Sequence, residues 1–291
     1  MIDVLIIGGG PAGVSAALYT ARARYSTTIL YKNHGALQTA EAVENFYGHK
    51  KIGGHELVET GLQQAQAVGA ELICTETTGI TLTENNTIQA QTASGQILEA
   101  KAAIIATGAT RVRPKIEGLE ALEGMGVSYC AICDGFFYRG KDVAVLGSGA
   151  YALHEAQDLL PLVKSVTLLT NGETPSANFP EEIKICQDKI EKLTADKAGA
   201  LENILTATGE KIPATGLFIA MGIAGGTELA RKIGAQVENN AVIVDKNMRT
   251  LVPGLWAAGD CTGGLKQIAK AVYQGAEAGM DIIKFLREWG K

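Results

Sequence analysis

The strongest constraint on this chain is a plan that it uses twice. Asp3-Val4-Leu5-Ile6-Ile7 is a short apolar run entering Gly8-Gly9-Gly10, and Pro11 to Arg24 then reads as a helix opened by proline. Asp142 to Leu146 enters Gly147-Ser148-Gly149 in the same way, followed by a helix from Tyr151 to Leu160 and a strand from Val166 to Leu169. Strand, Gly-rich loop and helix in that order form the pattern of a dinucleotide-binding βαβ unit, and here the copies begin about 140 residues apart. The expected fold class is therefore α/β, with two Rossmann-like dinucleotide-binding domains. Thirty-five glycines in 291 residues agree with this, about 12% against a usual share of roughly 7%.

Each unit also closes on a strand ending in glycine, Ala102 to Gly108 in the first and Gly216 to Gly222 in the second. Near the end, Gly254 to Asp260 reads as a strand delivering an aspartate, and Gln267 to Glu288 as an amphipathic helix. These last residues carry no dinucleotide loop of their own, so they are read as returning to the first domain. The expected division is 1–112 with 246–291, and an inserted domain at 113–245, crossing near Arg111–Pro114 and Asp245–Pro253.

Composition removes several classes of function. The net charge is −5, and the 26 Lys and Arg residues are spread over both halves, so nothing suggests a nucleic-acid partner. The longest uncharged stretch, Val4 to Ala21, contains Gly8, Gly9, Gly10, Pro11 and Gly13, which argues against a membrane span. Asp3 precedes it where a signal peptide would carry Lys or Arg, so a cytoplasmic protein is expected. The five cysteines, Cys74, Cys130, Cys133, Cys186 and Cys261, are odd in number and mostly isolated, unlike a disulfide framework.

Gly8-x-Gly10-x-x-Gly13 sits where its backbone can approach a pyrophosphate at the positive end of a helix. The acid that usually holds the adenosine ribose at the end of the next strand is missing, because Thr27 to Tyr31 runs into Lys32. Asp260 suits a cofactor hydroxyl or a helix N-cap. Cys130-Ala131-Ile132-Cys133-Asp134 allows three readings. Zinc would need further ligands, and His34, His49, His55 and His154 are scattered along the chain, so no metal site is expected. Two structural thiols are the second reading. A redox disulfide is favoured, since a short loop holds both sulfurs and the adjacent helix start lowers a thiolate pKa. Asp134 would then exchange protons with the sulfur chemistry, although a capping carboxylate looks the same.

At Ser128-Tyr129-Cys130-Ala131-Ile132-Cys133-Asp134-Gly135 the chain resembles the low-molecular-weight thioredoxin reductases. Val43-Glu44-Asn45, Gly69-Ala70-Glu71, Gly126 to Cys130 and Lys266-Gln267-Ile268-Ala269 extend the likeness almost end to end. The resemblance implies an FAD-binding first domain, an inserted NAD(P)H-domain-like redox domain carrying the cysteines, and a homodimer. It implies that Cys133 faces the flavin, that Cys130 attacks the thioredoxin disulfide, and that Asp134 is acid and base. FAD would be surrounded by Gly8, Gly10, Pro11, Ala12, Gly13, Tyr31, Lys32, Leu37, Asn45, Thr107, Gly108, Gly259, Asp260, Lys266, Gln267 and Ile268.

The second dinucleotide site departs from that family. Where the family has His-Arg-Arg and a further Arg for the NADPH 2′-phosphate, this chain reads Leu168-Leu169-Thr170-Asn171-Gly172-Glu173. No Lys or Arg occurs from Ser165 to Ile183, while Glu173, Glu181 and Glu182 would repel a phosphate. The segment between Ala152 and Phe218 is short, as if part of the sheet were missing, and Ile223-Ala224-Gly225-Gly226 replaces the family's His-x-Pro-Asn. NAD(P)H is therefore doubtful, and the chain resembles the ferredoxin-dependent flavin branch that lacks NADPH-binding residues. Reduced ferredoxin is the expected donor and thioredoxin the acceptor. The alternatives are an NADPH- or NADH-dependent thioredoxin reductase and a non-catalytic FAD-binding redox sensor.

Overall fold

The computed structural model describes residues 1–108, 114–129, 131–222 and 225–289, with the side chains of Thr39 and Cys133 outside the described set. Its contacts divide the chain into two units, Met1–Thr110 with Gly225–Lys291, and Arg111–Ala224.

The first unit opens with β1 (Ile2–Ile7), α1 (Pro11–Arg22) and β2 (Thr27–Tyr31), close to the bounds expected from sequence. Then come α2 (Gly54–Ala67), β3 (Glu71–Cys74), β4 (Thr77–Leu82), β5 (Ile88–Thr92) and β6 (Ile97–Ile105). β1, β2, β3 and β6 form a parallel core in the order β3-β2-β1-β6, and β6, β5 and β4 continue it as an antiparallel meander. β6 is nine residues long and ends at Ile105, three residues before the expected Gly108.

The second unit contains β7 (Val127–Ser128), α3 (Ala131–Asp134), β8 (Asp142–Leu146), α4 (Ala150–Leu159), β9 (Ser165–Leu169) and β10 (Lys184–Cys186). It continues with β11 (Ile190–Ala195), β12 (Leu201–Thr206), β13 (Lys211–Pro213) and β14 (Gly216–Ile219). Five strands make a parallel sheet in the order β10-β9-β8-β14-β7, flanked by the antiparallel sheet β11-β12-β13. The shortness of this unit falls on a connection: β9 and β10 are parallel neighbours, yet residues 170–183 between them form no helix. Pro175 and Pro180 lie in this stretch and remove two backbone donors that a crossover helix would use.

The chain then returns through α5 (Gly226–Lys232), β15 (Val237–Glu238), β16 (Ala241–Val242), β17 (Leu255–Ala257) and α6 (Ile268–Glu288). The second crossing thus lies before Gly225, and residues 225–245 belong to the first unit rather than to the insertion. The reason is packing: α5 lies on β4 and β6, Leu229 and Ala230 are fully buried, and Lys232 Nζ donates to Thr78 O at 3.2 Å. Gly226 at the start of α5 shares in that allegiance, since a Cβ there would meet Cys261 Cβ and Thr107 Oγ1, both at 2.7 Å.

α6 is locked against α1 by small residues. A Cβ on Gly275 would lie 2.0 Å from Ala12 O, and Ser15 Oγ donates to Val272 O at 2.8 Å. Asp281, buried on α6, accepts from Trp256 Nε1 of β17 at 3.0 Å and pairs with Arg249, whose guanidinium that bond holds still more firmly protonated. Among the described residues no helix is long and apolar enough to cross a membrane.

Candidate functional site

In the first unit the glycines of the loop after β1 separate into two kinds. A Cβ on Gly8 would meet Ala106 O at 2.2 Å, and one on Gly13 would meet Gly8 O at 1.9 Å, so both are demanded by the fold itself. Gly10 has nothing within 4 Å of such a Cβ. It is the N-cap of α1 and lends no side chain, while Pro11 opens the helix and Ala12 is buried against α6. The positive end of α1 is therefore uncapped beside open space, which fits an anionic ligand.

Across the sheet, the loop after β6 presents Thr107, whose buried Oγ1 has no hydrogen-bond partner among the described residues. Gly108 follows with φ 76° and open space at its Cβ position. Asn45 and Gln267, 222 residues apart in sequence, meet through a 3.0 Å bond from Nδ2 to Oε1. Gln267 is the N-cap of α6, so Lys266 and Ile268 stand at the same helix start. Gly259 and Asp260 open a 3₁₀ turn, Asp260–Thr262, fixed by two residues that sequence reasoning did not single out. Gln274 Oε1 accepts from Gly259 N at 2.9 Å, and Lys270 Nζ donates to Gly259 O at 3.1 Å and to Gly263 O.

Lys32 pairs with the buried Glu76 at 2.6 Å, so an acid does stand at the end of β2, supplied from the turn before β4. Tyr31 is half-buried under Gly9, and desolvation, with Cys74 and Glu59 nearby, pushes its phenol above the ordinary value. Leu37 packs on the core of this unit. An orphaned hydroxyl at Thr107, an uncapped helix start and the open face of Gly10 all suit FAD in this unit.

In the second unit β7 leads to the cysteine motif. Cys130 and the side chain of Cys133 lie outside the described residues, but their frame is defined. Ser128 Oγ donates to Asp134 Oδ2 at 2.6 Å, which fixes the carboxylate that follows the motif. Glu155 of α4, 1% exposed, accepts a hydrogen bond from Ala131 N at 2.7 Å, so a buried carboxylate grips the peptide between the cysteines. Sequence reasoning missed Glu155, since one acid among the alternating residues of α4 carries no mark of burial. Desolvation and the charge of Asp134 push Tyr138 upward. Ile132 inside the motif and Phe136 and Phe137 just after it are exposed by 51%, 67% and 70%, an apolar surface at the cysteine loop.

The second Gly-rich loop is covered by its own chain. A Cβ on Gly147 would meet Ala220 O at 2.2 Å and Ala152 Cβ at 2.8 Å, so these small residues persist as packing requirements. Thr170 Oγ1 donates to Glu173 O at 2.5 Å, and Asn171 adopts φ 54°, turning residues 170–176 back over the loop. There Ser148 Oγ donates to Glu173 Oε2 at 2.5 Å, and Ser176 N donates to Ser148 O at 2.7 Å. A carboxylate and a serine thus occupy the rim of the loop that would cradle a phosphate.

Fold and loops together define a two-unit dinucleotide-binding oxidoreductase. Residues 2–275 match the family model of pyridine nucleotide-disulphide oxidoreductases. Thioredoxin reductase of Listeria innocua is 32% identical over a 302-residue alignment covering 98% of this chain and 94% of that one. The solved structure of an atypical thioredoxin reductase from Desulfovibrio vulgaris Hildenborough is 38% identical, with a TM-score of 0.91, covering 100% of this chain and 99% of that chain. A ferredoxin-flavin thioredoxin reductase from Clostridium acetobutylicum is 27% identical, with a TM-score of 0.72, covering 99% of this chain and 98% of that one. The chain belongs to the pyridine nucleotide-disulphide oxidoreductase family and, within it, to the low-molecular-weight thioredoxin reductases. It is an oxidoreductase acting on sulfur, and its family implies FAD.

Proposed function

We propose that this chain is a thioredoxin reductase that draws its electrons from reduced ferredoxin, working in the cytoplasm as a homodimer. The observation that carries the reading is the closed second loop, with Glu173 on Ser148 and no cation from Ser165 to Ile183. A nicotinamide dinucleotide brings a pyrophosphate, and NADPH a further 2′-phosphate. The pyrophosphate would meet a carboxylate at the loop whose backbone should hold it, and the 2′-phosphate would find no bidentate cation between Ser165 and Ile183.

FAD, when bound, would supply the conversion between single electrons and an electron pair. Gly10, Thr107, Gly108, Asn45, Asp260 and Gln267 would hold it, with Gly8 and Gly13 shaping the loop. The Cys130–Cys133 disulfide takes up two electrons and two protons to become a dithiol. Cys130 then attacks the thioredoxin disulfide, and Cys133 displaces reduced thioredoxin from the mixed disulfide, restoring the original bond. Asp134, aimed by Ser128, holds and returns the proton at the sulfurs, and Glu155 holds the loop that carries them. Ile132, Phe136 and Phe137 give thioredoxin an apolar landing beside Cys130.

A second reading has one observation in its favour: Glu173 reaches the Gly-rich loop, where a carboxylate can accept the ribose hydroxyls of NADH. Anaerobic titration of the oxidised flavoprotein separates the two. Bleaching by reduced ferredoxin alone supports the proposal, and rapid bleaching by stoichiometric NADH or NADPH refutes it.

A further inference from the structure

His34 and His55, scattered in sequence, meet in the first unit. His34 lies in the turn after β2 and His55 in the first turn of α2, with ring centroids 4.4 Å apart and edge to face. Glu59 follows His55 by four residues and so shares its face of α2. Its Oε1 lies 2.5 Å from His34 Nε2. One ring nitrogen from each histidine and one carboxylate oxygen all lie within 4.8 Å of one another. The flavin and thiol chemistry uses none of the three.

We propose that His34, His55 and Glu59 form a binding site for a divalent transition ion of the zinc class. Two imidazoles and a carboxylate are borderline donors that suit Zn²⁺ better than Mg²⁺ or Ca²⁺, which prefer oxygen alone. Zinc bonds of about 2.0–2.2 Å in a tetrahedron place ligand atoms roughly 3.3 Å apart. The cluster reaches that spacing by rotamer adjustment, the His34–Glu59 pair opening and His55 closing. Two ligands stand on one rigid helix, and the third comes from a separate segment, so an ion staples the turn after β2 to α2. The His34 side chain is 17% exposed and that of Glu59 44%, which gives the site a buried wall and an open side where water completes the shell. Because Lys32 and Leu37 belong to the stapled segment, the ion also stiffens one edge of the proposed flavin site.

The test is calorimetric titration of the air-oxidised holoprotein with zinc chloride, with X-ray absorption of the loaded sample. His55→Ala and Glu59→Ala, both at accessible positions, serve as variants. The proposal expects one ion per chain, a shell of nitrogen and oxygen only, and affinity weakened about tenfold or more by each substitution. It also expects zinc to raise the thermal midpoint of the wild type and not of His55→Ala. An ion pair alone would give no saturable binding, and that result overturns the proposal. Sulfur in the shell, or unchanged affinity in both variants, overturns it equally.

Discussion

Removing the buried carboxylate of Glu155 probes how the cysteine loop is held. In the second unit Glu155 Oε2 accepts from Ala131 N at 2.7 Å, and the side chain is 1% exposed. A hydrogen bond to a charged group contributes about 1.5–3 kcal/mol net, and a buried donor left without a partner costs about 1–3 kcal/mol. These figures describe the same lost bond in two ways, so Glu155→Ala is expected to cost about 2–3 kcal/mol rather than their total. With a urea slope of roughly 2 kcal/mol/M, the midpoint of this unit falls by about 1 M. Glu155→Gln keeps a carbonyl oxygen within the same reach and should restore more than half of that loss. The assay is urea unfolding of the holoprotein followed by circular dichroism, paired with the rate of thioredoxin reduction below the transition. A Glu155→Ala midpoint within about 0.2 M of wild type, or a Gln variant no better than Ala, would refute the reasoning.

Further outcomes follow from the same geometry. Gly10→Ala, with open space at its Cβ position, should leave the apoprotein folded while sharply weakening FAD retention. Gly13→Ala, 1.9 Å from Gly8 O, should lower the yield of folded protein itself; flavin fluorescence and circular dichroism separate the two effects. Complete burial pushes the Cys261 thiol up to about 12, whereas Cys74 is exposed. A thiol reagent at pH 8 should therefore label Cys74 in the native protein and Cys261 only after unfolding. Since the folded value of Cys261 is the higher one, its contribution to stability is intact below the unfolded thiol pKa of about 8.5 and is lost as pH rises toward 12. Cys261→Ala should flatten that alkaline decline. Ser128→Ala should slow thioredoxin reduction and shift its pH profile, because Asp134 loses its 2.6 Å anchor; an unchanged profile would remove Asp134 from the proton path.

Much of this architecture was legible because hydrophobic periodicity and Gly-rich loops are local signals. β1, α1, β8 and α4 lie within two residues of their expected bounds, since each is an apolar run interrupted where glycine or proline forces a change of direction. What local signals cannot carry is allegiance between distant segments. Residues 225–245 joined the first unit through α5 packing on β4 and β6, a choice made by buried Leu229 and Ala230 rather than by any motif. The shortness of the second unit was visible, but not that its β9–β10 connection runs without a helix. Asn45 and Gln267 were named for the flavin separately, and only the fold brings them to 3.0 Å. Glu155, Lys270 and Gln274 escaped notice because a polar residue on a helix is ordinary until its burial and partner are known. The meeting of His34 with His55 has the same origin.

The departure at Glu173 was the opposite case: missing arginines are plain in sequence, while what residues 170–176 do in their place is spatial. Residues 170–176 do not leave an empty cradle; they fold across it and bond to Ser148. Reopening that loop would sacrifice the Ser148–Glu173 and Ser176–Ser148 bonds.

Anaerobic stopped-flow reduction of the oxidised flavoprotein, with reduced ferredoxin, NADH and NADPH offered separately, tests the central claim most directly. Flavin bleaching by ferredoxin at turnover-competent rates, with neither nicotinamide bleaching the protein when stoichiometric, is the predicted result. Rapid bleaching by NADH or NADPH would contradict it.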